Sequence, residues 1–117
     1  MNKNYVTYQL YIRLDENVSI NVGKLGFVNL RDGLYIYTGS AKKNMAARIE
    51  RHRRKNKKLH WHIDYLTSLP NAHIEKVTYH TADECTVNQK TNGSIPVAGF
   101  GASDCKKHCI SHLKFIG

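Results

Sequence analysis

The sequence contains no hydrophobic run long enough to span a membrane, and its N-terminus lacks the apolar core of a secretion signal. We therefore expect a cytoplasmic protein with no membrane partner. A chain of 117 residues leaves no room for a second domain. We expect residues 1–117 to form a single domain with one modest hydrophobic core.

Cysteine is also scarce. The three cysteines, Cys85, Cys105 and Cys109, cannot all pair with one another, and a cytoplasmic protein keeps its thiols reduced. The segment CKKHCISH adds His108 and His112, so the spacing permits a structural zinc site with Cys85 as a distant ligand. A complete zinc signature usually has two tight pairs of ligands, and the second pair is missing here. We therefore expect reduced thiols and no structural zinc.

Acidic residues are few, since 9 Asp and Glu stand against 18 Lys and Arg, giving a formal net charge of +9. An anionic partner is the first to consider. The excess is local, because residues 42–58 contain Glu50 as their one acidic residue. A solvated helix face is the common alternative, but this concentration beside a glycine at a strand end favours nucleic acid. The basic residues of this segment are Lys42, Lys43, Arg48, Arg51, Arg53, Arg54, Lys55, Lys57 and Lys58.

Residues 33–62 carry the strongest functional pattern in the chain. Residues 34–37 are apolar and aromatic throughout, which predicts a strand covered on both faces. Gly39 and Ser40 then interrupt the strand at a position where a substrate backbone could approach closely.

A helix should follow that strand, with Asn44 as an acceptable N-cap and an end near residue 55. Arg48 and His52 are four residues apart, so they share a face where a guanidinium and an imidazole could both reach a phosphate. An Arg and a His at this spacing on a basic helix are more often a solvated surface pair. The spacing alone does not decide between these interpretations.

Apolar periodicity predicts the remaining elements. Residues 5–14 alternate as a strand, and Asp32-Gly33 between two apolar runs predicts a hairpin joining residues 27–30 to residues 34–37. The fold class is therefore α+β, with a small antiparallel central sheet flanked by helices. The other expected elements are a helix over residues 59–69, a strand over 72–80, a helix from Thr81 to about Lys90 and an edge strand over 112–116.

The run Tyr37-Thr38-Gly39-Ser40-Ala41, followed by Arg48 and His52, resembles the YIG half of the GIY-YIG nuclease domain. Val6-Thr7-Tyr8 resembles the GIY half of the same domain. Tyr8 matches the family tyrosine, and it is the one residue of the three that matches. The runs KLHWHIDYL, GFGASDC and SHL are similar to a branch of small stand-alone GIY-YIG-like proteins of archaea and bacteria. This resemblance covers nearly the whole chain and implies a metal-dependent endonuclease that hydrolyses phosphodiester bonds in DNA.

The resemblance also implies a metal ligand. In the family, one acidic residue on a helix beyond the third strand binds a divalent ion, and Glu84 matches that place, with Glu75 as the second choice. Residues 81–84 also have the spacing of a capping box, which by itself explains a glutamate at position 84. Both interpretations stay open. The implied ion is Mg²⁺ or Mn²⁺, which prefer hard oxygen ligands.

The roles implied for the other site residues follow the needs of phosphodiester hydrolysis. Arg48 would neutralise charge on the phosphate, and the ion on Glu84 would stabilise the leaving oxygen. Tyr8 or Tyr37 would orient or activate water, although a phenol with a pKa near 10 needs that pKa lowered to act as a base. His52 would assist proton transfer or bind phosphate.

Two further functional classes compete with an endonuclease. One is a catalytically silent module that grips nucleic-acid phosphates, and the other is an accessory domain whose specificity comes from a protein partner. The polar residues His60, His62 and Asp64 raise the question of a metal site, but we do not expect one, because His-x-His places the two rings about 200° apart on a helix unless the helix begins after His60. The residues expected to contact nucleic acid are Gly39, Ser40, Lys42, Lys43, Arg51, Arg53, Arg54, Lys55 and His60.

Overall fold

The structure is a computed structural model that describes residues 4–101 and 109–117. In these ranges it contains strands β1 (Thr7–Leu14), β2 (Val18–Asn21), β3 (Phe27–Leu30), β4 (Gly33–Ser40), β5 (Ala72–His80) and β6 (Leu113–Phe115), and helices α1 (Met45–Arg53), α2 (His62–Thr67) and α3 (Glu84–Lys90). A four-stranded antiparallel sheet has the order β5-β1-β4-β6, and β2 and β3 form a separate two-stranded ribbon. The predicted α+β class with an antiparallel central sheet is confirmed.

Strand β1 lies in the interior of the sheet, between β4 and β5, and its first four residues are all buried, so both faces of the sheet are covered near its start. Alternation predicts one buried face, and this face carries Tyr8 and Leu10 into the core. The opposite face is also buried at Gln9, whose Nε2 donates to the hydroxyls of Thr38 and Thr91 at 3.0 and 2.7 Å. These hydrogen bonds satisfy the buried amide of Gln9, and they join the sheet to the end of α3.

The predicted hairpin between β3 and β4 is wrong. Strand β3 pairs with β2, whereas β4 pairs along its whole length with β1, from Leu14 opposite Gly33 to Thr7 opposite Ser40. The Asp32-Gly33 pair therefore turns the chain out of the ribbon and back to the sheet, with Gly33 at φ 140°. An Asp-Gly signal marks a change of direction but carries no information about which strand becomes the partner.

Helix α1 begins where expected, after Asn44, and ends at Arg53, two residues before the expected position. Asn44 takes the left-handed conformation with φ 55°, and its side chain makes no capping hydrogen bond. Left-handed geometry is tolerated by asparagine better than by most residues, which suits the sharp turn from β4 into the helix.

Helix α2 is shorter than the predicted helix over residues 59–69. It begins at His62 because the carboxylate of Asp64 accepts hydrogen bonds from the backbone N–H groups of His60 and Trp61, at 2.8 and 2.9 Å. A side chain that satisfies the free N–H groups ahead of a helix fixes where the helix starts. His60 consequently lies outside the helix.

The capping box predicted for residues 81–84 is also wrong. Asp83 is the N-cap of α3, and its carboxylate accepts a hydrogen bond from the N–H of Thr86 at 2.8 Å. Glu84 is therefore the first residue of the helix, and helix capping does not account for its side chain. Aspartate is a stronger N-cap than threonine, and this explains the shift of two residues.

Strand β5 has the predicted bounds, and β6 forms the predicted edge strand through its pairing with β4. Of the residues in the segment CKKHCISH, Cys105 and His108 lie outside the described residues. None of the helices in the described ranges has the length and apolar character needed to cross a membrane.

Candidate active site

The register of β1 on β4 places Tyr8 directly opposite Gly39. A Cβ atom on Gly39 would lie 2.5 Å from both Cζ and Oη of Tyr8, closer than real atoms pack, so only glycine admits the ring here. The space above Gly39, predicted to admit a substrate backbone, is filled by Tyr8. The following carbonyl, that of Ser40, accepts a hydrogen bond from Nη1 of Arg48 at 3.0 Å.

A short hydrogen bond of 2.6 Å joins Oη of Tyr8 to Nε2 of His52. His52 is completely buried, and this burial, reinforced by the positive charges of Lys57, Arg48 and Arg51, lowers its pKa to about 4. The ring is therefore neutral at pH 7. Within the described ranges Nδ1 of His52 has no hydrogen-bond partner.

We infer that the proton of His52 lies on Nε2, since the alternative tautomer would bury an unpaired N–H group, which is more costly than an unpaired lone pair. In this arrangement Nε2 donates to the hydroxyl oxygen of Tyr8. The phenolic proton of Tyr8 then stays available for another acceptor.

Both candidate tyrosines are neutral. Burial raises the pKa of Tyr8 above its usual value, and the nearby Arg48 offsets this only in part. Burial raises the pKa of Tyr37 as well, and the ring of Tyr37 packs edge-on against His52 with the centroids 6.3 Å apart. Neither phenol ionises near neutral pH without a further positive charge beside it.

Arg48 presents a guanidinium next to this pair. The guanidinium lies 4.6 Å from the centroid of the Trp61 ring, and in the described part of the chain it has no acidic partner. Stacking on tryptophan and a hydrogen bond to a carbonyl hold the group in place without neutralising its charge. Such a cation is suited to bind an anion.

Arg51 is held differently, although it also contacts the Trp61 ring, at 4.4 Å. It donates to both carboxylate oxygens of Asp64, at 2.8 and 2.9 Å. Burial by itself raises the pKa of Asp64, but the bonds from Arg51 and from two backbone N–H groups outweigh that effect and lower it. Asp64 is fully buried and saturated with donors, so Arg51 has a structural role.

Glu84 lies at the first turn of α3 with 28% of its side chain exposed. Its Oε2 is 3.5 Å from Nδ1 of His112, and its charge contributes to the raised pKa values of Tyr8 and Tyr37. The carboxylate is therefore within electrostatic range of both tyrosines. Glu75 forms an exposed ion pair with Arg13 at 3.1 Å, so Glu84 is the better candidate for the metal ligand.

Two lysines of the basic segment are used inside the protein. Lys55 Nζ donates to the carbonyl of Thr67 at 2.9 Å and also to those of Leu69 and Ala72, and burial lowers its pKa. Lys57 Nζ donates to the carbonyl of His52 at 3.0 Å, and burial lowers its pKa to about 8. Lys55 is itself exposed, although its amine is held by these carbonyls. The other exposed members of the set are Lys42, Lys43, Arg53, Arg54 and Lys58, and His60 is exposed beside them.

Four contributors to this region are not evident from the sequence. Periodicity indicates only a core role for Trp61, it places neither Asp64 nor His112 near the site, and it leaves Lys57 as a surface charge. The tryptophan in the run His-Trp-His, next to a basic helix, is a sequence feature that could have suggested an arginine contact, because tryptophan is the best aromatic partner for a cation.

A family profile described as "Domain of unknown function DUF123" matches residues 7–117. No curated protein and no solved structure matches the chain. The match begins at the first residue of β1 and extends to the last residue, so it includes every candidate residue described above. The chain therefore belongs to the DUF123 family.

Proposed function

We propose that this protein is a metal-dependent endonuclease of the GIY-YIG superfamily that hydrolyses phosphodiester bonds in DNA. One observation carries the proposal: the guanidinium of Arg48, which has no acidic partner in the described ranges, lies close enough to influence both members of the bonded pair of Tyr8 and His52. The carboxylate of Glu84 is within electrostatic range of the same phenol. Phosphodiester cleavage needs a cation that holds the phosphate, a group that carries a proton and a hard ligand for a metal ion, and these residues provide all three.

In this proposal Arg48 binds the scissile phosphate and neutralises the charge that develops on it. Tyr8 orients the attacking water. Once a positive charge beside the phenol has lowered its pKa, the phenol releases its own proton to solvent, and the phenolate then takes the proton of the attacking water. His52 stays neutral and donates from Nε2 to the oxygen of Tyr8, so it stabilises the phenolate form. Tyr37 supports the imidazole by packing against it.

The donor chemistry at Glu84 fits Mg²⁺ or Mn²⁺. One partly exposed carboxylate binds a hard divalent cation that keeps most of its water ligands. A bound ion would stabilise negative charge on the leaving oxygen. Since Glu84 does not cap α3, its charge is available for this role.

The DNA backbone would lie against the exposed cations at the two ends of α1. Lys42 and Lys43 are in the turn before the helix, and Arg53 and Arg54 are at its end. A cytoplasmic location is part of the proposal, because a reducing compartment would keep Cys85 and Cys109 as thiols. A protein partner would supply sequence specificity, because no separate base-reading element is evident in the sequence.

The test is nicking of supercoiled, branched and single-stranded DNA by the untagged protein with Mg²⁺, Mn²⁺ or a chelator. We expect cleavage that needs the metal and is lost in Glu84→Gln, which keeps the size of the side chain but removes the charge. Glu75→Gln is the matched control, because it removes a carboxylate whose ion pair is on the surface. DNA binding should persist in both variants.

Full metal-dependent nicking by Glu84→Gln would contradict the metal assignment. Tight DNA binding by the wild type without nicking under any metal condition would contradict the endonuclease and favour the silent binding module.

A further inference from the structure

A second group of ligand-type side chains includes His112, which also contacts Glu84. Cys85 Sγ, Cys109 Sγ and a ring nitrogen of His112 all lie within 4.8 Å of one another. Cys85 is on the first turn of α3, whereas Cys109 and His112 lie just before β6. Folding has brought together residues that are far apart in the chain.

We propose that Cys85, Cys109 and His112 bind a zinc ion. Two thiolates and an imidazole form a soft donor set that selects zinc over the hard ions expected at Glu84. Ligand atoms around a tetrahedral zinc are about 3.3–3.8 Å apart, given Zn–S near 2.3 Å and Zn–N near 2.0 Å, so a small side-chain adjustment closes the group on an ion. The fourth position is left for water or a further donor.

The burial of the group suits a structural metal. His112 is 1% exposed, and both cysteines are half-buried. Glu84 Oε2 lies 3.5 Å from Nδ1 of His112, so a small side-chain movement gives the carboxylate–histidine hydrogen bond that orients metal-binding histidines through their second nitrogen. The zinc would then be held by Nε2, with Glu84 fixing the ring.

The two segments joined by this ion are already connected by hydrogen bonds. Nδ2 of the buried Asn88 donates to the carbonyl of Ser111 at 2.8 Å, and Lys114 Nζ donates to the carbonyl of Thr91 at 3.1 Å. A zinc ion at Cys85 would add a link at the start of α3, next to Glu84. We therefore assign it a positioning role, in which it fixes the helical turn that carries the proposed Mg²⁺ ligand.

The experiment uses the full, untagged chain expressed with added zinc and purified without chelators. We expect about one equivalent of zinc per chain after dialysis, released when the thiols are modified. Replacement by Co²⁺ should give intense visible bands typical of tetrahedral cobalt, together with thiolate charge-transfer absorption. Wild-type protein that holds no zinc and gives no such cobalt spectrum overturns the proposal, as does a disulfide between the two cysteines in freshly reduced protein.

Variants locate the ion. Cys85→Ser, Cys109→Ser and His112→Asn should each lose bound zinc, and each thiol variant should weaken the charge-transfer band. His73→Asn is the control, because His73 is exposed and paired with Asp15, so it should retain zinc. Should a cysteine variant fail to fold, the wild-type cobalt spectrum still decides. Retention of zinc in all three variants would contradict the assignment.

These measurements are independent of nicking. Zinc binding without nuclease activity contradicts the proposed function alone. Full nuclease activity after removal of the zinc contradicts the positioning role, which rests on the proposed function, whereas absence of zinc binding contradicts the zinc site.

Discussion

At the scale of single residues, two arginines of one helix illustrate how partners decide roles. Arg48 and Arg51 are three positions apart on α1 and contact the same Trp61 ring. Arg51 faces a buried carboxylate, whereas Arg48 reaches a backbone carbonyl. The charge of Arg51 is therefore neutralised inside the protein, and that of Arg48 remains for a ligand.

This difference predicts opposite effects for two alanine substitutions. Arg51→Ala should lower the free energy of unfolding by about 3 kcal/mol or more, since it leaves the buried Asp64 carboxylate without its partner. Arg48→Ala should change stability by less than about 1 kcal/mol and reduce the nicking rate on the order of 100-fold. Urea unfolding and plasmid nicking of both variants check the prediction. An inactive but stable Arg51→Ala protein would reverse the assigned roles.

His52 predicts how stability depends on pH. The unfolded chain protonates this histidine below about pH 6.5, but in the folded protein its pKa is about 4 because of burial and of the charges of Lys57, Arg48 and Arg51, opposed by Asp64. Between these values the unfolded state binds more protons. The contribution of His52 to stability is therefore complete above about pH 6.5, and stability falls by roughly 3 kcal/mol as the pH drops toward 4.

Urea unfolding of the wild type and of His52→Gln, from about pH 7.5 to about pH 4.5, measures this contribution. The variant should lose much of the pH dependence. His73→Gln serves as the control because its ring is exposed. Parallel curves for wild type and His52→Gln would show that the native state protonates His52 at its ordinary pKa.

At the scale of elements, the basic segment after α1 holds two helix ends together. Lys57 Nζ donates to the carbonyl of His52 in the last turn of α1, and Lys55 Nζ donates to carbonyls at the end of α2 and at the start of β5. The last carbonyls of a helix have no partner inside it, and lysine is a common donor to them. Part of the positive charge that predicts nucleic-acid binding therefore stabilises the fold instead.

Lys55→Met should therefore be destabilising. It keeps the apolar stem but removes donors to three carbonyls, at a cost of roughly 1–3 kcal/mol. Arg53→Met is the matched control, since Arg53 is exposed on the same segment and should change stability little. Thermal and urea unfolding measure the stability of both variants. Equal stability of the two variants would show that the hydrogen bonds of Lys55 contribute nothing.

At the scale of the whole molecule, the net charge of +9 divides into internal and external parts. The described structure leaves exposed cations on the turn before α1 and on the segment that ends it. DNA affinity should depend on these exposed residues and fall steeply with added salt, because each neutralised phosphate releases counterions.

Replacing Lys42, Lys43, Arg53 and Arg54 together with Gln should weaken DNA binding and reduce the slope of log K against log[salt] by about 0.9 for each phosphate that is no longer neutralised. Stability should change little. The control replaces Lys76 and Lys90, which are exposed on β5 and α3. Binding titrations at several salt concentrations measure the slopes. An unchanged slope in the fourfold variant would move the DNA interface elsewhere.

Local sequence patterns were sufficient for the type and order of most elements. The periodicity of residues 72–80 yields the bounds of β5, and the apolar run at 34–37 predicts the doubly covered β4. Patterns failed where two local signals competed for the same residues. Asp83 rather than Thr81 caps α3, and Asp64 delays the start of α2, because the stronger hydrogen-bond acceptor decides where a helix begins.

The sequence by itself determined the α+β class, the basic character and the residue types available for chemistry, since these depend on composition and on spacing along the chain. Only the tertiary structure decided which charged side chains are available to bind a ligand. It paired Arg51 with Asp64, left Arg48 without an acidic partner among the described residues, and brought Cys85 to Cys109 and His112. Interactions between residues far apart in the chain depend on strand register and helix packing, and no local pattern encodes them.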